Sequence, residues 1–523
     1  GGEVSEEASK KDLSLEGSKF TSVHPDQDSL SFYSSAATFD YNNKIIKARN
    51  VKLFLVGDSY FYPDSGKLIV RIKANMDPLK NAVIVANTVT EYHRIYDVSV
   101  KVKGRLEYKG EGNIDYIDQD NQKQVIFLEN VSLDTTYQTV GRGKIKKEQS
   151  FALSPDFQYY GNIRLEAAKP LFNFDGFSKI SHTCKELKIE WFEFNSEIDP
   201  KEIYIPIDSV MTEDDRSNLL TGIMMSSDPY GTYSNFLTEP TKSSDYQLFN
   251  SEGFLFYDKP AQSYIVSSIE KITQKTLPGN YLVLNKNSCA IEGEGMIRPN
   301  VNFGRIDNEF AGSIVNYTDG DSTTMDMIWL MDFYFDKKAL SIMEDLIIKD
   351  EGLGRTDFDR NVYKRSVQEI LGKEEADRIM SEQSLYQKYK KFPKGLAKPI
   401  FFNDLKMQWN NESESYRSVG KIGIGNMDKT EVNKFVDGNI EFIKKRSGDE
   451  LHIYLEIDRS TWFYFNYRAE IFQAYSSNQD FNTAVKDAKK TKLEKEKGKA
   501  KYRYMLSSEA KKAIFLRRIQ DNE

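Results

Sequence analysis

The chain has 523 residues, 39% of them apolar, and its 32 Phe, 30 Tyr and 4 Trp supply enough large side chains for sizeable cores. That length exceeds what one hydrophobic core usually holds, so roughly two to four domains are expected, and the composition excludes a disordered chain. No apolar run reaches the roughly eighteen residues of a membrane-spanning helix, and a net charge of −7 makes the chain as a whole a poor partner for nucleic acid.

Residues 1–19 are charged and poor in aromatics and read as a flexible lead-in. The start Gly1-Gly2-Glu3 reads as that of a processed product or of a piece of something longer. Residues 20–133 break into short β-type pieces, among them Leu30–Tyr33, Thr38–Tyr41, Lys52–Val56, Ser59–Tyr62, Lys67–Ile72 and Ala82–Val85. Turn signals such as Asn42-Asn43, Gly57-Asp58 and Pro63–Gly66 separate them. Asp97–Lys103 alternates strictly, which places Val98, Val100 and Val102 on one buried face. Lys52–Val56 is apolar on both faces and predicts a sheet covered on both sides. Strands this short and even fit a β jelly-roll, a sandwich or an irregular solenoid.

Residues 134–335 continue as a second β domain with longer loops, where Leu187–Phe194, Ile203–Ile205 and Tyr281–Leu284 read as strands. Residues 336–395 form a helical insert. Its first helix, Lys337–Lys349, has Ala339, Leu340, Met343, Leu346 and Ile347 on one face. A second starts at Thr356, with Asp359 as a capping partner, and stops at Gly372. A third runs from Lys373 to about Lys391, ahead of Pro393. Strands return over residues 396–478. Leu451, Ile453, Leu455 and Ile457 share a face there, and Trp462–Tyr467 is apolar on both faces. Residues 479–523 make a basic helical tail, broken at Gly498, with Ala510, Ile514 and Phe515 as its apolar stripe. From Lys486 onward 13 Lys and Arg stand against 6 Asp and Glu, so the body ahead of the tail is the more acidic part. The fold class is therefore mainly β: stacked jelly-roll or sandwich domains of short strands, with a helical insert and a helical C-terminal tail.

One stretch has a familiar cadence. Leu30–Tyr41, then Lys44–Val51 ending Ala48-Arg49-Asn50-Val51, then the aromatic strand and Gly turn of Asp58–Val70 resemble OstA-like domains, the lipopolysaccharide-transport jelly-roll family of Gram-negative envelopes. The likeness spans about residues 20–110. Phe151–Pro155 and Ser415–Gly425 look like segments of large uncharacterised Gram-negative envelope proteins. The resemblance implies a lipid or lipoglycan held between two sheets, or a second β domain joined edge to edge.

The chemistry-bearing motifs are sparse. No phosphate-binding glycine loop occurs, and Gly420–Gly425 reads as a bulge or close strand approach. Asp115, Asp118, Asp120 and Asn121, and separately Asp319-Gly320-Asp321, are oxygen-rich enough for Ca²⁺ but fit polar hairpin turns better. His24, His93, His182 and His452 are scattered; His182 lies close to Cys184 but lacks further ligands. Cys184 and Cys289 are the only cysteines, and two buried free thiols are expected rather than a pair. No nucleophile motif is present. No catalytic residue, cofactor or metal is expected.

Two surface readings remain. Trp191, Trp462, Tyr464 and Tyr467 could form an aromatic platform for a ligand. Lys489, Lys490, Lys492, Lys495 and Lys497, with Lys499 and Lys501 beyond them, could touch an anionic surface. The leading expectation is a non-enzymatic cell-envelope protein, periplasmic or associated with the outer membrane, that scaffolds or binds an elongated lipid or glycan or another β domain. The alternatives are a carbohydrate-active enzyme or carbohydrate-binding module, and an adhesin-like structural protein. No nucleic-acid partner and no transmembrane helix are expected.

Overall fold

A computed structural model describes residues 16–208, 211–213, 217–318, 322–494 and 496–521. The expected mainly β class holds: several sheets of largely antiparallel strands carry a helical insert and a C-terminal helix. The chain divides into two compact units. Unit 1 comprises Gly1–Ser181, Glu190–Pro206 and Val210–Arg216; unit 2 comprises His182–Ile189, Ile207–Ser209 and Ser217–Glu523.

Unit 1 is built on a 13-stranded sheet whose strands follow one another nearly in chain order, from Ser18–Thr21 at one end to Phe192–Ile198 at the other. Its long central strands, Leu79–Ala86, His93–Gly104, Glu107–Ile117 and Lys123–Leu133, pair in succession. Alternation decides their orientation: Val98, Val100 and Val102 are buried, while Ser99, Lys101 and Lys103 face solvent. Lys123–Leu133 pairs with Thr139–Ile145, so the sheet continues across residue 133, where a domain boundary had been expected. Beneath it lies an aromatic core in which Tyr159 and Phe174 meet edge to face at 5.0 Å and Tyr116 meets Phe174 at 5.8 Å. Gly161 and Gly176 pair across two strands above this core; a Cβ at Gly161 would lie 2.7 Å from the Tyr159 hydroxyl, so the close approach requires glycine. A buried polar knot adds specificity. Thr139 Oγ1 lies 2.6 Å from Asp58 Oδ1, 2.6 Å from Ser59 Oγ and 2.7 Å from the Tyr108 hydroxyl. A second, three-stranded sheet is formed by Ala36–Asp40, Ile45–Arg49 and Leu68–Val70.

One detail of this region corrects the sequence reading. Val51, Leu53, Phe54 and Val56 are buried, but Leu55 is exposed, so the strand Phe54–Val56 is covered on one side only.

Unit 2 carries a long sheet running from Phe254–Asp258 through Ser322–Asp332, Ile400–Asn410 and Thr461–Arg468 to Arg503–Leu506, with a small three-stranded sheet formed by Leu220–Ser227, Tyr230–Thr238 and Tyr246–Asn250. Its helices are α1 (Ile269–Thr273), α2 (Lys337–Lys349), α3 (Asn361–Leu371), α4 (Lys373–Tyr386), α5 (Gln479–Lys486) and α6 (Glu509–Gln520). Helices α2 to α4 form the expected insert, and the strands on either side of it, Ser322–Asp332 and Ile400–Asn410, pair directly. The insert therefore interrupts the chain without dividing the sheet. Ala311, Ile328, Leu330 and Phe401 pack under Tyr363, Val367, Ala376 and Ile379 of α3 and α4. The alternate residues of the same strands face the other way, where Trp329 stacks on Phe402 at 4.8 Å and meets Phe442 edge-on at 5.0 Å.

Three expectations are corrected in unit 2. Helix α3 begins at Asn361, because Thr356 is held by the sheet: its N–H donates to the Asn433 carbonyl and its hydroxyl accepts from Asn403 Nδ2. The tail is not a broken helix. Between α5 and α6 the chain places Arg503–Leu506 as a parallel strand beside Ile471–Ser476, with Tyr502 and Tyr504 buried. Cys184 and Cys289 are not free thiols but a disulfide, with Cα atoms 5.5 Å apart. The turn after Tyr281–Asn285 brings Cys289 to the segment His182–Ile189 within the same unit.

Candidate functional site

Unit 1 carries an apolar groove between the strands Ser18–Thr21 and Ser31–Ser34 and the three-stranded sheet, with a volume of about 350 Å³. Its floor is made by Leu30, Phe32 and Met76, all buried, with Phe20 stacked on Phe32 at 5.3 Å. Ile46 and Val70 form a half-buried wall. The lip is apolar and wet: Val23 is 97% exposed, Ile72 60% and Phe39 49%. Exposed apolar side chains gathered around a concave apolar surface mark a binding site more often than singly scattered ones.

Local geometry explains the shape. The turn Pro25–Gln27 is tied down from several sides: the Gln27 amide donates to the Ala74 carbonyl, and the Gln27 carbonyl accepts from the N–H groups of Leu30 and Arg105. Val70 and Met76 are bridged, and the turn between them holds Lys73 at φ 57 and Ala74 at φ 55. Left-handed backbone at two successive non-glycine residues is a local cost, borne at the groove wall. Arg71, at the same lip, makes a two-pronged contact with Asp77, at 2.5 and 2.8 Å, and this pairing lowers the carboxyl pKa of Asp77. Lys44 stands at the opposite lip, and among the described residues no carboxylate lines the groove. A neutral, apolar trough with two cations at its rim suits an extended hydrocarbon better than a sugar or a metal ion. Alternation does not mark Val23, Phe39 or Ile72, because Phe39 lies in a strand exposed along most of its length and the other two lie outside strands; which strands of two sheets face each other is a tertiary fact with no local signal.

The four aromatics expected to form one platform are not brought together. Trp191 is half-buried in unit 1, edge-on to Tyr160 at 4.9 Å, with the Lys147 and Lys179 ammonium groups 5.2 and 5.6 Å from its ring. Trp462 and Tyr464 are buried beneath α6 in unit 2 with Tyr454, Phe515 and Ile519, and Lys512 caps the Trp462 ring at 3.8 Å. Tyr467 points to the opposite face of the same strand, where its ring packs near Phe303 at 6.1 Å. The reason is the doubly apolar pattern of Trp462–Tyr467: both faces are covered, so neither is available as a platform.

Lys489, Lys490, Lys492 and Lys497 are exposed, and Lys495 lies outside the described residues. Their segment is anchored rather than frayed, since the Lys490 carbonyl accepts from the hydroxyls of Tyr334 and Tyr504 and the Thr491 carbonyl from the Tyr504 N–H. Asp118 closes its own hairpin by accepting from the N–H groups of Asp120 and Gln122, and Asp115 pairs with Lys123 at 2.6 Å. Asp319-Gly320-Asp321 and most of the lead-in lie outside the described residues. Around Gly420–Gly425 the strands approach closely, and a Cβ at Gly423 would lie 2.7 Å from Asn403 Oδ1. The His182 ring accepts from the Cys184 N–H at 3.2 Å, a turn contact. Among the described residues no group of three or more His, Cys, Asp or Glu is arranged to hold a metal ion, and no helix is long and apolar enough to cross a membrane.

No family model, curated protein or solved structure matches the chain.

Proposed function

We propose that this chain is a non-enzymatic cell-envelope protein that holds the hydrocarbon part of a lipid or lipoglycan in the groove of unit 1. The observation that carries the reading is the combination of an open apolar trough of about 350 Å³ with Val23, Phe39 and Ile72 exposed along its lip. Small-molecule sites typically occupy roughly 300–1,000 Å³, which puts this one at the single-chain end of the range. The Cys184–Cys289 disulfide supports an oxidising location such as the periplasm or cell surface, because cytosolic thiols are kept reduced. The likeness of residues 20–110 to OstA-like jelly-roll domains points the same way.

Native mass spectrometry of the purified chain tests the reading directly: co-purified lipid, lost on Phe39→Asp and Ile72→Asp substitution, is the expected result. A chain that carries no lipid, and that binds no fluorescent fatty acid at micromolar concentration, would overturn it. A second reading, a carbohydrate-binding module, draws on the outward-facing pair Tyr160 and Phe177, whose rings stack at 5.2 Å beside Trp191. Glycan binding that is lost on Trp191→Ala, without any lipid binding, would favour it.

A further inference from the structure

Unit 2 has a second hollow, of about 440 Å³, beside α6 and between that helix and the hairpin formed by Thr461–Arg468 and Ile471–Ser476. Its chemistry differs from that of the groove. Among the lining residues Glu450 is the one carboxylate, and Glu441 stands behind Arg518; each is held by two cations. Glu450 pairs with Lys445 at 2.8 Å and Arg468 at 3.0 Å; Glu441 pairs with Arg417 at 3.1 Å and with Arg518. Lys511 adds a further cation, its ammonium group donating to Gln473 Oε1 at 2.6 Å. Cations therefore outnumber carboxylates around the hollow, and oriented positive charge in a partly enclosed space attracts anions.

The remaining wall is apolar. Ile471 and Phe515 line it, and Ile514 overhangs it at 66% exposed. Phe515 lies parallel to the His452 ring at 4.9 Å, and His452 Nδ1 contacts the Tyr464 hydroxyl at 3.0 Å. His452 Nε2 makes no hydrogen bond, with the Glu450 carboxylate 3.8 Å away. The hairpin turn at the rim holds Ala469 at φ 48 and Glu470 at φ 65, conformations that such a turn ordinarily assigns to Asn and Gly.

We propose that this hollow binds a small organic anion: a carboxylate or phosphate group set against Lys511, carried on an apolar body that fills the space beside Ile514 and Phe515. The site belongs to unit 2 and does not depend on the groove of unit 1. It also gives part of the basic tail a defined role, because Lys511 and Arg518 face the hollow while Lys489 and Lys490 face solvent.

Isothermal titration at low salt, with the full chain and four probes, tests it. Benzoate and phenyl phosphate are expected to bind at least tenfold more tightly than inorganic phosphate or benzyl alcohol, and to weaken as salt rises. Comparison of the first two distinguishes a carboxylate from a phosphate site. Lys511→Glu is expected to reduce binding at least tenfold, and Ile514→Asn, at an exposed position that folding tolerates, to remove the advantage of the apolar body. Lys489→Glu is expected to change neither. Equal binding of all four probes, no binding at all, or an equal loss with Lys489→Glu would overturn the proposal.

Discussion

In unit 1, the strand His93–Gly104 buries every second side chain from Val98 onward and leaves the others in water, whereas in unit 2 the strand Thr461–Arg468 buries every side chain from Trp462 through Tyr467. The difference follows from what covers each sheet. Among the described residues none of the six α-helices belongs to unit 1, so its main sheet relies on alternation and on an aromatic core beneath one face. In unit 2, α6 covers Trp462 and Tyr464, while Phe481 of α5 meets Phe463 at 5.1 Å on the opposite face. A sheet covered on both sides tolerates few polar groups and must neutralise those it keeps. The paired carboxylates Glu441 and Glu450 are the result. A sheet open on one side can instead leave an apolar trough wet, as unit 1 does.

Substitutions can break or sharpen this contrast. The largest effect is expected at Trp329, stacked between Phe310 and Phe402 and fully buried in unit 2: Trp329→Ala should cost about 3–5 kcal/mol in urea unfolding. Opening the Cys184–Cys289 link by substituting both cysteines with Ser should cost about 2–5 kcal/mol, since it closes a long loop, and reductant should reproduce the loss.

The buried charges of unit 2 predict acid sensitivity. Burial lowers the pKa of His452, and the contacts of Glu450 with His452, Lys445 and Arg468 draw its carboxyl from 4.5 to about 2. Both groups bind fewer protons folded than unfolded. Stability therefore falls with pH, first below the usual 6.5 of histidine and then from 4.5 towards 2. His452→Gln should flatten the decline of the urea midpoint between about pH 7 and pH 5, with the other buried histidines, His93 in unit 1 and His182, still contributing to it. An unchanged slope would mean that His452 is not a source of the acid sensitivity.

Smaller effects follow. Ser508 caps α6 by accepting from the Lys511 N–H, and Ser508→Ala should cost about 1 kcal/mol, read as faster hydrogen exchange in that helix. Val125→Thr, on the open face of unit 1, should stay within about 0.5 kcal/mol of the parent; a loss as large as that of Trp329→Ala would end the distinction between the two sheets.

What could be read in advance tracks how local each determinant is. The alternation of Val98, Val100 and Val102, the doubly apolar Trp462–Tyr467 and the helix Lys337–Lys349 are set by neighbouring side chains, and all three were legible. The start of α3 was not, because Thr356 answers to Asn403 and Asn433 rather than to the helix after it. Helix α4 stops at Tyr386, where Gln387 turns left-handed at φ 56, ahead of the Pro393 that marked its expected limit. The strand Arg503–Leu506 did carry a signal, Tyr502 and Tyr504 alternating with Arg503 and Met505, but the surrounding lysines masked it. The buried face of the last helix also differs from the expected stripe of Ala510, Ile514 and Phe515: Phe515 and Ile519 are buried and Ile514 is not. Neither the groove nor the hollow beside α6 was legible as a site, since each is made by residues far apart in the chain.

The nearly sequential strand order also bears on how the molecule comes into being. When each strand pairs with the one made just before it, a sheet can grow like a zip as the chain emerges, with short loops to close and little entropy lost at each step. Some steps must wait, two of them for long segments. The strand Ile400–Asn410 reaches Ser322–Asp332 only after the helical insert has been laid down, and the parallel strand Arg503–Leu506 joins Ile471–Ser476 after α5 and the lysine-rich segment have passed. A chain cut off before Arg503 would therefore leave the edge of Ile471–Ser476 without that partner, so unit 2 is completed only once this late strand has been made.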